Sequence, residues 1–287
     1  MQELYEQYKG LLFTLAYQLT GSVHDAEDAV QDVFLKLYDV ERESLVDPKA
    51  YLCKMVTNHC RDVFKSARKR REQYVGQWLP EPLLTSNDEL FESVVQGELL
   101  SYAMLVLLER LSPTERAVFV LREALGFEYV AIAELVDKSE ANCRKLNSRA
   151  KGRMGISPDE SVYPETESEE WVRRFLAALE QGNVDTVVAM LAKDVVLVSD
   201  GGGKAFAAAN PIESRDFVAR FLFGLMRKLP QYSGGMHLEM RDINRQTGLV
   251  VYSDEGIDTV VLMHVEKNSI RNLYFVRNPD KLGHLLN

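Results

Sequence analysis

The chain has 287 residues, 46% of them apolar and 27% charged, enough for two or three domains each with its own core. It carries 34 basic against 43 acidic residues, a formal net charge of −9, which excludes a protein that coats nucleic acid along its whole length. No apolar run approaches a membrane span, MQELYEQYKG lacks the basic start of a secretion signal, and Cys53, Cys60 and Cys143 have neither disulfide nor metal spacing, so the expectation is a cytoplasmic protein with reduced thiols, no membrane partner, no cofactor and no metal.

Residues 3–19 place Leu4, Tyr8, Leu11, Leu12, Leu15 and Leu19 at helical spacing. Gly21 and Ser22 end that helix, and Ser22 can cap the next one, Asp25 to about Tyr38. There Ala26, Ala29, Val30, Val33, Phe34 and Leu37 form an apolar stripe. Asp25, Glu27, Asp28, Gln31, Asp32 and Lys36 lie elsewhere, as a solvated acidic face or a docking surface for a polar or basic helix. A loop over 40–48 leads to a helix from Lys49, with Tyr51, Leu52, Met55, Val56, Cys60, Val63 and Phe64 inside. Its outer face holds Lys54, Asn58, Arg61, Asp62 and Lys65, and it runs into the basic tail SARKRRE, which contains Arg68.

Charge is distributed in islands. Residues 47–73 hold eight basic side chains against three acidic ones, and 137–153 hold six against two. The stretches 74–100 and 154–170 have five and six acids and no base. Two basic islands in an acidic chain predict two separate phosphate-facing surfaces joined by segments that repel DNA. The linker 73–93 contains WLPEP, whose Pro80 and Pro82 favour extended backbone at Leu79 and Glu81, and whose Trp78 and Leu79 need burial. It reads either as a greasy connector or as a docking segment for another surface of the same chain. A helical hairpin follows, Val94–Arg110 and Ser112–Leu125, the second helix opened by Ser112-Pro113 with Glu115 in its first turn.

Phe127–Arg153 reads as two short helices around a tight turn. Val130, Ile132, Ala133, Leu135 and Val136 are apolar in the first, and Asp137–Ser139 is the turn. Ser139 can cap the second helix, with Ala141, Cys143, Leu146 and Ala150 inward. Arg144, Lys145, Asn147, Ser148, Arg149, Lys151 and Arg153 then project outward. A slim basic second helix suits the major groove; an ordinary hairpin with a solvated basic face is the plainer alternative.

DAEDAVQDVFLKLY with AYLCKMVTNHCRDVFKSARKRRE resembles region 2 of a bacterial sigma factor of the extracytoplasmic function group, and LERLSPTERAVFVLREALGFEYVAIAELVDKSEANCRKLNSRAKGRM resembles region 4. The order and spacing match over residues 1–154. The resemblance implies that Asp25, Asp28, Gln31 and Asp32 dock on the beta-prime clamp region of core RNA polymerase. It implies that the loop 41–47, with Ser44, holds a flipped base of the promoter −10 element, and that Asn58, Arg61, Lys65 and Arg68 face the melted strand. The family usually has Trp where this chain has Tyr51. Region 4 would read the −35 element through Glu140, Arg144, Lys145, Ser148 and Arg149.

Residues 155–166 are an acidic linker. After it the composition changes: amphipathic helices at 171–181 and 185–191, a strand at 195–199, a helix at 214–229, then strands at 236–244, 249–253, 257–265 and 269–276. Turns are expected at DGGGK, GG, RQTG and EKN. This α+β arrangement resembles the curved-sheet cone of the nuclear-transport-factor-two-like superfamily, in its SnoaL-like branch. WLPEP (Trp78, Leu79, Pro80, Glu81, Pro82), DGGGK (Asp200, Gly201, Gly202, Gly203, Lys204) and NPDKL (Asn278, Pro279, Asp280, Lys281, Leu282) resemble a subgroup of these sigma factors with a fused SnoaL-like domain. That resemblance implies a C-terminal domain acting on the sigma activity of its own chain, through an intramolecular contact made by the three motifs.

The expected layout is region 2 at 1–72, linker at 73–93, region 4 at 94–154, linker at 155–166 and regulatory domain at 167–287. Two helical domains would bind core polymerase and promoter DNA without catalysis. The alternative is a DNA-binding module fused to a cyclase- or isomerase-like enzyme. Its polar candidates are Asp200, Lys204, His237, Arg245, Tyr252, Asp254, His264 and Tyr274, and it would need a base in an apolar pocket. A small-molecule ligand in the cone stays open. A plain helix-turn-helix regulator is disfavoured, because it has no use for residues 25–65.

Overall fold

The structure is a computed structural model that describes residues 2–38, 45–85, 99–156, 169–228 and 236–286, with 65–72 described by backbone alone. The chain forms two units: Met1–Glu72 with Asn87–Tyr163, and Gln73–Ser86 with Pro164–Asn287. The first part of the expected linker therefore folds into the C-terminal unit.

In the first unit, α1 (Gln2–Thr20) and α2 (Val23–Leu37) meet at Gly21, whose positive φ of 72° lets the chain turn at once. The Thr20 hydroxyl donates to the Ala16 carbonyl, and Ser22 accepts from the Asp25 amide, so the junction satisfies its own end groups. Leu12, Leu15, Ala26, Val33, Leu37, Leu52 and Val56 are completely buried. Leu52 and Val56 belong to α3 (Pro48–Glu72), which packs on both α1 and α2. Each such leucine contributes roughly 1.5–3 kcal/mol by leaving water. Tyr51, expected inside, is 38% exposed, and the basic tail continues the helix to Glu72.

The second half of this unit begins with α4 (Tyr102–Leu108) and α5 (Pro113–Phe119). Ser112 and Glu115 form the reciprocal capping box that Ser-Pro-x-Glu encodes. A π-helical turn, Val120–Ala124, leads to α6 (Tyr129–Val136) and α7 (Glu140–Met154). Asp137 sits in the left-handed region at φ 53° and ends α6; Ser139 caps α7, and Gly155 closes it. Three expectations change here. Val130 is 60% exposed, Ala141 is exposed, and Asn147 is buried. Asn147 turns inward because its Nδ2 donates to Glu123 Oε1 at 2.7 Å and to the Tyr129 hydroxyl at 2.9 Å.

The C-terminal unit opens with α8 (Glu169–Glu180) and α9 (Val184–Met190). Strand β1 (Leu191–Asp200) follows, then the short β2 (Ile212–Glu213) and α10 (Arg215–Lys228). Strands β3 (His237–Ile243), β4 (Gln246–Ser253), β5 (Gly256–Glu266) and β6 (Ser269–Val276) form an antiparallel meander. The sheet order is β2-β1-β6-β5-β4-β3, with β1 parallel to β6. The β3–β4 turn falls at Asn244-Arg245, both at positive φ, rather than at RQTG. Gln246–Gly248 are strand, paired with Ile243, Asp242 and Arg241, and a Cβ at Gly248 would press on the side chains of Ile243 and Leu262.

Period-two alternation gives the sheet two buried faces. Leu197, Leu249, Val261, Met263, Leu273 and Phe275 share a core with Trp171, Phe175 and Leu222 of the helices. On the other face Val250, Val260, Leu262 and Val276 are also buried. The cone is not filled: a cavity of about 470 Å³ remains between its sheet, α8 and α10.

Candidate nucleic-acid interface and linker site

On α2, Asp28, Gln31 and Asp32 are exposed and Asp25 half-buried, while Leu35 and Tyr38 beside them are 66% and 72% exposed. An acidic face edged by exposed apolar side chains is a better docking surface than charge alone, and the helical stripe did not single out Leu35 or Tyr38. Asp28 and Asp32 lie 3.5 and 3.6 Å from the rings of His24 and His59.

On α3, Asn58 and Arg61 are half-buried. Ser44 and the side chains of Lys65 and Arg68 lie outside the described residues. Lys54, one turn before Asn58, donates to Asp137 Oδ1 at 3.0 Å. Lys54, then Arg61, hold the Asp137 carboxyl below its ordinary range. Lys54, on the outer face of α3, is therefore bonded to the turn of the helix-turn-helix, and Arg61 of the expected −10 set lies near enough to act on the same carboxylate. Deeper in this seam Arg116 is 1% exposed. Its Nε donates to the Gln18 carbonyl at 2.8 Å, its Nη1 to Glu109 at 2.5 Å, and its guanidinium lies 5.7 Å from the Phe64 ring centroid. Gln18 Oε1 accepts from the Leu100 amide. Sequence periodicity carries no signal for such long-range pairs.

On α7, Arg144, Lys145, Ser148 and Arg149 are exposed. Glu140 accepts from Arg144 Nη2 at 2.6 Å, and Arg144 stacks 4.4 Å from the Tyr129 ring centroid. Arg149 and Arg153 reach back to Glu115 at 3.0 and 2.6 Å. Burial pushes the Glu115 carboxyl up, but its Ser112 bonds and the two arginines more than reverse this and hold it below the ordinary range.

The three short motifs meet in the C-terminal unit. Asp200, completely buried at the end of β1, accepts from four donors. Its Oδ1 takes the Tyr74 hydroxyl at 2.6 Å and the Gly202 amide at 3.0 Å. Its Oδ2 takes the Leu79 amide at 2.8 Å and Lys281 Nζ at 2.7 Å. Lys281 also donates to the Leu79 carbonyl at 2.5 Å and lies 4.0 Å from the Trp78 ring centroid. Asn278 Nδ2 donates to the Tyr74 hydroxyl at 2.8 Å. Burial, then the bond to Asp200, push the Tyr74 phenol well above its ordinary range. Gly202 is needed at φ 58°, where a Cβ would strike Asn278 and the Tyr74 hydroxyl. A Cβ at Gly201 would strike the Ala205 carbonyl, one at Gly203 would press less severely on Val75, and exposed Lys204 bridges to exposed Asp280 at 2.6 Å.

The linker continues along the sheet. Leu79, Pro80, Pro82 and Leu83 are buried, and Trp78 and Glu81 half-buried. His284 reaches the Pro82 carbonyl at 2.8 Å. Leu84 bridges Ile243 at the open edge of β3, the Asn244 amide donates to the Leu83 carbonyl, and the Thr85 hydroxyl donates to Asp242 at 2.6 Å. Strand addition of this kind supplies main-chain affinity and covers an exposed edge. Leu282 is buried beside the clasp and Pro279 exposed. Tyr74, Thr85, Asn244 and His284 were not singled out by sequence. The other polar candidates do not converge: His237 stacks on Tyr252 in the open, and His264 meets Asn272.

Among the described residues no helix is long and apolar enough to cross a membrane, and no group of three or more His, Cys, Asp or Glu side chains is placed to hold a metal ion. The sigma-70 region 2 family matches residues 4–70, and the sigma-70 region 4 family matches residues 101–154. The chain is 35% identical to the extracytoplasmic function RNA polymerase sigma factor SigJ of Mycobacterium tuberculosis, over 96% of this chain and 91% of that one. It is 30% identical to the probable sigma factor SigI of the same species, over 64% of each. The crystal structure of the M. tuberculosis extracytoplasmic function sigma factor SigJ superposes with a TM-score of 0.79 at 30% identity, covering 99% of this chain and 98% of that one. With regions 2 and 4 in order and a helix-and-sheet domain after them, the chain belongs to the extracytoplasmic function family of RNA polymerase sigma factors.

Proposed function

We propose that this sigma factor is controlled in cis, by a C-terminal domain that holds the tether between its two DNA-binding regions. The observation that carries this reading is the set of bonds on Asp200. The tether segment 74–85 is bound to the C-terminal domain by a buried, fully satisfied carboxylate, by strand addition at β3 and by the burial of Leu79 and Leu83. Region 2 precedes this segment in the chain and region 4 follows it. In the cytoplasm, Asp25, Asp28, Gln31 and Asp32, with Leu35 and Tyr38, would dock on the clamp region of core polymerase. Asn58 and Arg61, with Ser44, Lys65 and Arg68, would face the melted −10 strand. Lys145, Ser148 and the arginines of α7 would enter the −35 groove, supported by the phosphate attraction that dominates such binding. DGGGK and NPDKL serve the clasp.

The enzyme-fusion reading is weaker. Among the described residues lining the cone cavity, the carboxylate is Asp258, and it is bound by both Arg277 and Thr259. A base so occupied is poorly placed to take a proton from a substrate.

Abortive transcription with purified core polymerase tests the proposal, comparing the full chain with one ending at Glu165. Promoter-specific products should require the protein, and their yield should differ several-fold between the two chains. Equal core binding and equal initiation by both would refute control in cis.

A further inference from the structure

The cavity of the C-terminal domain is assigned no role by the sigma activity. Its wall is mostly apolar: Phe175, Phe221, Leu225, Leu249, Val261 and Phe275 line it, with other aliphatic side chains between them and the exposed Lys228 at the end of α10. Its volume of about 470 Å³ lies within the range of roughly 300–1,000 Å³ typical of small-molecule sites. One end is polar. There Arg277 donates to Thr259 Oγ1 at 3.0 Å, to Asp258 at 2.9 Å, and through Nη1 to the Phe206 carbonyl. The guanidinium is thus already neutralised by a carboxylate and offers little to an anionic ligand. Ser199, 3% exposed, lines the same end and stands outside that set of bonds. A ligand charge beside Ser199 would be desolvated where the Arg277 cation is already paired, and the ammonium of Lys228, which also lines the cavity, is exposed and keeps its own water, whereas a hydroxyl or carbonyl would find the serine.

The same end touches the linker clasp through the backbone. Ser199 faces the cavity and the next residue, Asp200, is the centre of the clasp. Arg277 lines the cavity and the next residue, Asn278, bonds to Tyr74. The Arg277 amide also donates to the Asp200 carbonyl at 2.7 Å. Alternation along β1 and past the end of β6 thus places ligand-facing and linker-facing side chains on consecutive residues.

We propose that the cone binds an uncharged, largely apolar small molecule carrying one hydroxyl or carbonyl group, held by Ser199, and that its occupancy tightens the hold on the linker. The site stands on the cavity alone; its use as a signal rests on control in cis as proposed above.

The test uses the full chain and a neutral apolar fluorophore, N-phenyl-1-naphthylamine. The dye should bind saturably and be displaced by decanol about tenfold more effectively than by decanoate. Gly224 lines the cavity, and a Cβ built there meets nothing within 4 Å, so the side chain of Gly224→Leu starts into open space and takes up cavity volume. This variant should keep its circular dichroism and weaken dye binding about tenfold or more. Ser199→Ala should retain the dye and reduce displacement by decanol several-fold. Dye binding unchanged in Gly224→Leu, or decanoate outcompeting decanol, would overturn the site. Amide exchange supplies the second readout, independent of transcription. Decanol should slow exchange at Leu79 and its neighbours in 74–85 about threefold or more. Saturable decanol binding with no change there would overturn the coupling, whether or not truncation alters transcription.

Discussion

Two buried carboxylates show how this chain uses charge. Asp200 is locked to Lys281 and three neutral donors, so each lone pair of the acid has a partner and the lysine is covered by Trp78. A pair of this kind gives little net stability against an apolar substitute but is costly to break, which suits a contact that must form in one geometry. Glu115 has a different task. It is 2% exposed, caps α5 through Ser112, and receives Arg149 and Arg153 from the helix expected to read DNA. Its folded-state pKa lies below the unfolded one, so its contribution is present above the ordinary carboxylate range and is lost as pH falls through the folded value. Glu115→Gln should therefore destabilise the full chain by about 1–3 kcal/mol at pH 7, the cost of a buried cap that loses its charge-assisted bonds. The difference from wild type should shrink as pH drops below about 4.5. Urea unfolding at pH 7 and pH 3.5 checks this; a constant difference would mean that the carboxylate charge is not what stabilises the cap.

Elements were the most legible level of this chain. Caps and stops such as Gly21-Ser22, Ser112-Pro113-x-Glu115 and Ser139 are local chemistry, and each forms the end it encodes. The meander of the cone was readable from period-two runs. What periodicity missed has a physical reason in each case. β2 is two residues long, below any detectable period. The β3–β4 turn falls at Asn244-Arg245, a two-residue hairpin with both residues left-handed, which the turn residues of RQTG did not single out. Val130 looked like core by spacing but lies on the open side of α6, where Tyr129 instead supports Asn147 and Arg144. The motifs of the clasp were legible as motifs, but their partners Tyr74, Asn244 and Thr85 were not, since a hydrogen bond across more than a hundred residues leaves no local trace. The same holds for Lys54 and Asp137. Because Asp137 occupies the left-handed region, Asp137→Asn keeps the turn while removing the charge that Lys54 and Arg61 face. It should raise affinity of the full chain for single-stranded −10 DNA up to about fivefold, the range of an exposed ion pair. It should also steepen the salt dependence by about one phosphate contact. Fluorescence anisotropy across a salt series measures both, and unchanged affinity would mean that the pair does not compete with DNA.

At the scale of the whole molecule, a sigma factor must engage two promoter elements at a fixed separation while its DNA-binding regions are joined by a tether. The reach of a tether grows with the number of residues free to extend, by about 3.3–3.6 Å each. Residues 73–85 are taken out of that number when they lie on the C-terminal unit, since their polar groups and side chains are already committed there. Holding them would lower the entropy of the tether and narrow the separations that cost little to span. Releasing them would add up to about 45 Å of reach and flatten that preference. Leu79→Ala with Leu83→Ala weakens the hold from the linker side and leaves the Asp200–Lys281 pair bonded. Each truncation should cost about 2–5 kcal/mol of that contact. On promoters whose −10 and −35 elements are moved apart or together by one or two base pairs, the wild-type chain should lose transcription steeply. The double variant should lose it several-fold less, with its activity at the natural spacing equal or lower. Identical spacing profiles in single-round transcription would show that the linker's seat on the C-terminal domain does not set promoter geometry.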